Sequence, residues 1–375
     1  MTATVLVNGP STSVQAPRAR ALFGDDARIV YKEHGRIGSA PAIASALFGD
    51  GWTYCMDLGF PAAPMAAAAR RLRPRMRLAF EIGDPMLELL RPQDRSRAEV
   101  AIAHQFDRYL PAEADALVFR GSYLEEYFRR IATRPLPPSC WIPDGADTST
   151  FRPMRGAPEV AALRQRWGLG GRFVVGIVGS IHHNPRLNLF YGWELAEALA
   201  KLPENVIGVV VGDGTGRAVL EATCRRLGVS HRMRMVGRVP HAEIPSWMNV
   251  FDLGLSTQTN DPVGWGRTTA KLPEYLACGL PVLCSDVGEA HRWLSGSGQT
   301  LAYDGLRDDA YPERLAAKIA RLVGDEAELA RLGRINRKIA CEEFDYAILR
   351  TKLAGFLSGV DGAREIEGWM ARVYG

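Results

Sequence analysis

KLPEYLACGLPVLCSDVG, residues Lys271 to Gly288, reads as a helix, a stop at Gly279, a short buried strand and a second turn. Lys271 and Glu274 stand about one turn apart near the start of that helix. Free N–H groups and the positive dipole end of a helix suit a pyrophosphate, Lys271 adds a point charge, and Glu274 can accept two hydrogen bonds from a ribose diol. Thr268 or Thr269 can cap the helix, and Pro273 is tolerable only within its first turn. The alternative is an exposed helix with an ordinary charge pair.

Outward from this stretch, short apolar runs alternate with helical patterns. ATVLV (3–7), ARIVY, WTYCM, MRLAFEI and ALVF (116–119) read as strands in the first part of the chain. Helical stretches lie between them at Ala62 to Leu72, Arg95 to Tyr109 and Tyr123 to Ile131. RPLPPSCWIPDGADTSTFRPM is rich in Pro, Gly and Thr and reads as a linker, with a boundary near Phe151. Strands then recur at Phe173 to Val178, Val206 to Val211, Met233 to Val236, Asp252 to Ser256 and Pro281 to Ser285. Helices are expected at Leu187 to Lys201 and Arg217 to Leu227. At the end of the chain, Ile366, Trp369, Met370 and Val373 are spaced for one helix face. Such alternation implies βαβ units and parallel sheets.

The 375 residues suffice for two domains, and 47% hydrophobic with 23% charged is ordinary for a globular chain. A net charge of +4 gives no case for nucleic-acid binding. The six cysteines form no CxxC pair, so no metal site is expected and a reducing compartment fits. MTATVLVNGP lacks a basic start and a long apolar core, and no apolar run reaches membrane-spanning length, so a cytoplasmic location is expected. Arg70, Arg71, Arg73, Arg75 and Arg77 form one local basic cluster. It is either a contact for anionic lipid at the inner face of a membrane or a solvated basic face.

Three loops follow strands of the second half. Gly212-Asp213-Gly214-Thr215-Gly216-Arg217 approaches the dinucleotide fingerprint but has Arg217 where the last glycine belongs, which favours a tight turn over NAD binding. Gly179-Ser180-Ile181-His182-His183-Asn184-Pro185-Arg186 follows the domain's first strand, where ligands of open α/β sheets bind. Arg186, expected near the start of the next helix, can fork onto phosphate oxygens or be a surface arginine. Gly237-Arg238-Val239-Pro240 offers backbone groups to a base.

Together these segments resemble the GT-B glycosyltransferases, in particular the large retaining family 4. WIPDGADTSTFRP, VVGDGTGR, MVGRVPHAEIPSWMNVFDLGLS and KLPEYLACGLPVLCSDVG resemble four family patterns in the family's order, over Trp141 to about Tyr346. The resemblance implies an α/β fold of two Rossmann-like domains facing across a cleft. Residues 1–151 would be the acceptor-side domain, 152–355 the nucleotide-sugar domain, and 356–375 a helix returning to the first domain. It implies that Glu274 holds the ribose, that Arg186 and Lys271 contact the diphosphate, and that Gly237, Arg238 and Val239 form the base-contacting turn. It also puts Gly179, Ser180 and the segment Gly266, Arg267, Thr268 and Thr269 near the donor, with Gly9 of Asn8-Gly9-Pro10 in the first-strand loop.

The sequence departs from the family at three places. The glutamate expected eight residues before Glu274 is Gly266, so backbone groups of Gly264 to Arg267, or Asp261, would replace its contact. Where the family often has an N-domain histidine, this chain reads FEIGDP, with Asp84, and next Glu81, as acceptor-side candidates. Asp84 as a cap of the next helix is the alternative. The second glycine expected after Gly288 is Glu289. The implied activity is transfer, with retention, of a sugar from a nucleotide diphosphate donor (UDP first, GDP next) to a hydroxyl acceptor, with no cofactor or metal required. A non-catalytic sugar-nucleotide-binding protein and a GT-B epimerase are the alternatives.

Overall fold

A computed structural model describes residues 3–49, 51–91 and 95–374, without the side chains of residues 36 and 363–374. The chain folds as two compact units: unit 1, Met1–Asp144 with Tyr346–Gly375, and unit 2, Gly145–Asp345. The sequence reading puts its boundaries at 151/152 and 355/356.

Unit 1 holds one sheet of β1 (Ala3–Val7), β2 (Arg28–Tyr31), β3 (Trp52–Met56), β4 (Arg77–Ile82), β5 (Ala116–Phe119) and β6 (Ser139–Trp141). All pairings are parallel, in the order β2-β1-β3-β4-β5-β6. β1, β3 and β5 are buried throughout, as a sheet covered on both faces requires. One face packs Leu6, Cys55, Phe80 and Phe119 under the helix Ala62–Leu72 and the helix Ser122–Ile131. The other face packs Val5, Tyr54 and Val118 under Leu349, Leu353, Leu357 and Val360. These four residues recur every third or fourth position along the helix Tyr346–Tyr374, so they form one apolar stripe. The face expected from Ile366, Trp369, Met370 and Val373 lies outside the described side chains. β6 lies inside the Pro-rich stretch read as a linker.

Unit 2 holds β7 (Phe173–Val178), β8 (His183–Asn184), β9 (Leu189–Phe190), β10 (Val206–Val211), β11 (Met233–Gly237), β12 (Leu253–Ser256), β13 (Val282–Ser285) and β14 (Thr300–Leu301). Its main sheet is parallel in the order β11-β10-β7-β12-β13-β14, the doubly wound Rossmann order. Strand order reverses between β7 and β12, and the loops that leave those two strands define the crevice where such sheets take ligands. The helix expected over Leu187 to Lys201 is shorter, Trp193–Leu199, because β8 and β9 form an antiparallel hairpin ahead of it. Pro185 and Asn188, with Asn188 in the left-handed region at φ 45, turn that hairpin. Arg186 therefore sits on an exposed hairpin tip rather than at a helix start.

Candidate active site

The helix Lys271–Ala277 is fixed by Tyr275, whose buried hydroxyl accepts the Val178 N–H at 2.7 Å at the end of β7. This bond brings the helix start to the reversal point of the sheet. The helix begins at Ala270 with no side-chain cap, so neither Thr268 nor Thr269 plays the expected capping role. Thr268 is buried, and Thr269 adopts φ 58, a left-handed conformation uncommon for a β-branched residue. Backbone strain of this kind collects where a ligand is gripped. The Thr269 hydroxyl is buried without a hydrogen-bond partner among the described residues.

Lys271 extends from the first turn to the loop that leaves β7, with its Nζ 3.8 Å from the centroid of the Tyr191 ring. Burial pushes its ammonium down to about 7. A desolvated cation with no carboxylate partner among the described residues is poised to receive an anion. One turn on, Glu274 Oε1 lies 3.6 Å from His241 Nε2, and the carboxylate raises the His241 pKa. His241 follows Gly237-Arg238-Val239-Pro240 directly and packs edge-on against Phe151. The helix thus unites two of the expected groups, with Lys271 toward the β7 loop and Glu274 toward the β11 turn. In that turn Gly237 is buried with φ 87, Arg238 is exposed and Val239 is half-buried.

Gly179 leaves β7 and Ser180 is exposed beside it. A Cβ on Gly212 would stand 1.9 Å from the Gly179 carbonyl oxygen, and Gly212 has φ 151. The glycines of GDGTG therefore let two strand-end loops touch backbone to backbone, which is the tight-turn reading and not a dinucleotide fingerprint. Gly266 ends the short helix Pro262–Gly266 and is buried, with Arg267 half-buried after it. Asp261, weighed as a substitute for the missing glutamate, is engaged as that helix's cap, its Oδ1 accepting Gly264 N–H at 2.9 Å and the Thr259 hydroxyl at 2.6 Å. A Cβ on Gly288 would fall 2.2 Å from the Trp265 carbonyl, so Gly288 seats this loop against the next helix start. Glu289 is buried in the first turn of that helix.

Gly9 and Asp84 lie in unit 1, at its own C-terminal sheet edge. Strand order reverses there between β1 and β3. The strand ends carry Asn8, Lys32, Asp57, Asp84 and Arg120, and Lys32 Nζ donates to Asn8 Oδ1 at 2.7 Å. Asp57 has φ 69, and burial with the neighbouring Asp84 and Glu81 charges raises its pKa against the pull of Arg120. Glu81 is fully buried, bonded by Arg18 Nε at 3.0 Å, Arg120 Nε at 2.7 Å and the Tyr54 hydroxyl at 2.7 Å. Burial opposes ionisation, but the two guanidiniums win and hold its pKa at about 2. Glu81 is thereby a structural centre, leaving Asp84 as the acceptor-side candidate. Asp84 does not cap the next helix. Asp107 accepts the Met86 and Leu87 N–H groups at 3.1 and 2.7 Å instead, and its burial raises it to about 7.

In the basic cluster, Arg70 pairs with Asp115 at 3.0 Å, Arg71 with Glu113 at 2.7 Å and Arg77 with Asp361 at 2.8 Å. Arg73 lies over Phe48, 5.4 Å from its ring centroid. Phe48 and Leu72 are 73% and 85% exposed, which places apolar surface beside the remaining charge. Among the described residues, no helix is long and apolar enough to cross a membrane, and no group of three or more His, Cys, Asp or Glu could hold a metal.

The sequence reading missed His241 and Tyr191. His241 stands immediately after the turn Gly237 to Pro240, at the same strand end. Tyr191 is marked only by its place just before Gly192, and its contact with Lys271 spans two loops far apart in sequence.

Residues 172–325 match the family described as glycosyl transferases group 1. The chain is 28% identical over 311 residues to the GDP-mannose-dependent alpha-(1-6)-phosphatidylinositol monomannoside mannosyltransferase of Mycobacterium tuberculosis, covering 81% of this chain and 75% of that protein. It is 29% identical over 211 residues to the 2-deoxystreptamine glucosyltransferase of Streptomyces kanamyceticus, covering 54% of this chain and 50% of that one. Its fold is similar to that of Anabaena HepE, solved in complex with UDP, at TM-score 0.75 and 20% identity over 96% of this chain and 100% of that one. It is also similar to WaaG, a glycosyltransferase involved in lipopolysaccharide biosynthesis, at TM-score 0.68 and 16% identity over 96% of this chain and 100% of that one.

Proposed function

We propose that the chain is a GT-B glycosyltransferase, a reading supported by the match of residues 172–325 to the glycosyl transferases group 1 family and by the two-sheet fold, with the following donor site and reaction. Unit 2 binds a nucleoside diphosphate sugar at the reversal point between β7 and β12. Glu274 takes the ribose diol, with His241 beside it, and the turn Gly237 to Val239 meets the base. Lys271 and Arg186 face the diphosphate, with Gly179 and Ser180 lining its approach. The segment Gly266, Arg267, Thr268 and Thr269 borders the sugar. The observation that carries this reading is the pairing on one helix of a desolvated ammonium at Lys271 and a carboxylate at Glu274.

As the glycosidic bond breaks, negative charge grows on the departing diphosphate, and fixed cations that meet it there lower the barrier. The acceptor hydroxyl attacks from the face the diphosphate leaves, and a donor phosphate oxygen takes its proton. The anomeric configuration is retained, with no protein carboxylate as nucleophile. UDP is the first choice of nucleotide and GDP the second. The two relatives named above have cyclitol-containing acceptors in their names, so we take a hydroxylated ring as the acceptor. It would meet Asp84, Asp57 and Asn8 at the edge of unit 1, with Gly9 keeping that loop close. Gly266 in place of a glutamate favours, as a second reading, a protein that binds sugar nucleotide without turnover.

Calorimetric titration with a panel of UDP- and GDP-sugars, followed by turnover assays with cyclitol and sugar acceptors, tests both readings. Donor-dependent glycoside formation supports the first, and tight binding with no product supports the second. Glu274→Ala should weaken donor binding about tenfold or more, and unchanged affinity would sink the site assignment.

We also propose a peripheral contact of unit 1 with anionic lipid at the inner face of a membrane. Phe48, Leu72, Arg73 and Arg75 would make it, since most of the other cluster charges are paired. Liposome flotation with and without anionic lipid tests this, and equal binding to both would rule out a charge-driven contact.

A further inference from the structure

We infer that Tyr191 is a second ligand of the donor's diphosphate and the residue that positions Lys271 for it, an inference that rests on the donor reading of this site. The Tyr191 ring lies under the Lys271 ammonium, 3.8 Å from Nζ to the ring centroid. A cation over an aromatic face is held by the ring's quadrupole, and this contact leaves its N–H groups free to donate elsewhere. The Tyr191 hydroxyl is buried and has no hydrogen-bond partner among the described residues. The Thr269 hydroxyl, two residues before Lys271, is in the same condition. Buried polar atoms are nearly always partnered, so each exception asks for a missing group.

The three groups share one chemistry. An ammonium and two hydroxyls can all donate, and the protein supplies none of them with an acceptor oxygen among the described residues. Burial lowers the Lys271 ammonium to about 7, and no carboxylate among those residues offsets it. An anion presenting several oxygens would complete all three at once. The ring also stands at the strand end where a phosphate would arrive, because a Cβ on Gly179 would come within 3.9 Å of the Tyr191 ring edge. Tyr191 thus has two separable parts, a ring that holds the ammonium and a hydroxyl that donates to a phosphate oxygen.

The full chain is titrated calorimetrically with UDP, with GDP and with uridine and guanosine, beside Tyr191→Phe and Tyr191→Leu, with thermal melts to establish folding. Tyr191→Phe should weaken binding of the preferred nucleoside diphosphate about tenfold, the loss of one hydrogen bond to a charged group. It should leave the matching nucleoside within about twofold. Tyr191→Leu should weaken the diphosphate about threefold more, for the lost cation–π contact. If Tyr191→Phe binds the diphosphate as the unmodified protein does, or loses nucleoside and diphosphate to the same degree, the assignment of Tyr191 is overturned while the donor site stands. Binding of neither UDP nor GDP by the unmodified protein would instead overturn the donor reading, and Tyr191 with it.

Discussion

At the scale of single residues, Lys271 sets a cost in stability against the binding role proposed for it. Its folded-state pKa of about 7 lies below the ordinary 10.5. Below pH 7 the lysine is charged in folded and unfolded chains alike, and its burial weighs fully on the fold. Between 7 and 10.5 the unfolded chain holds more protons, so this term makes stability rise with pH across that window. Lys271→Met should therefore raise the melting temperature by scanning calorimetry, more at pH 6 than at pH 10. It should also weaken nucleoside diphosphate binding about tenfold or more. Affinity in the unmodified protein should fall as pH rises above 7, with a steeper slope than in Lys271→Met. Glu81 shows the opposite sign. Its pKa is about 2 when folded against an ordinary 4.5, so its contribution is complete above 4.5 and is lost as pH falls toward 2. Glu81→Gln removes the carboxylate that Arg18 and Arg120 share, leaving them the more distant Asp144 at 3.6 Å and Asp57 at 3.9 Å, and should cost about 3–5 kcal/mol in urea denaturation at neutral pH. Lys271 and Glu274 were legible in the sequence because they share one helix turn. Tyr191 and His241 were not, because their meaning arises only when loops from β7 and β11 reach that helix.

At the scale of elements, the strands of both sheets could be read from apolar runs, since parallel strands buried on two faces leave little polar alternation. β6 escaped because its three residues sit among prolines and glycines at a sheet edge. The β8–β9 hairpin escaped because LNLF continues into the apolar pattern of the following helix, and only Pro185 and Asn188 betray the turn. The loops themselves are held by backbone proximity. Gly212→Ala would force a Cβ to within 1.9 Å of the Gly179 carbonyl oxygen. This should cost about 1–3 kcal/mol and displace the β7 loop, so thermal melting and donor titration should deteriorate together. A lower melting temperature with donor affinity unchanged would show that the β7 loop does not depend on this contact.

At the scale of the whole molecule, the sequence shows two alternating α/β halves, but the order of strands within each sheet is set by packing and could not be read along the chain. Nor does any local signal in the sequence say that Leu349, Leu353, Leu357 and Val360 belong with β1, β3 and β5. Each of these four side chains contributes about 1.5–3 kcal/mol by burial. A chain ending at Asp345 should thus lose unit 1 to limited proteolysis while residues 145–345 resist; equal resistance of both units would refute the dependence. The same stripe has a consequence during synthesis. Unit 1 is split by the whole of unit 2, so its first strands leave the ribosome long before their covering helix exists. At about 5–20 residues per second, residues 145–345 take roughly ten to forty seconds to make. Through that interval the sheet face of Val5, Tyr54 and Val118 lacks the cover of Leu349, Leu353, Leu357 and Val360, which leaves apolar surface open to aggregation or chaperone binding until residues 346–360 are made.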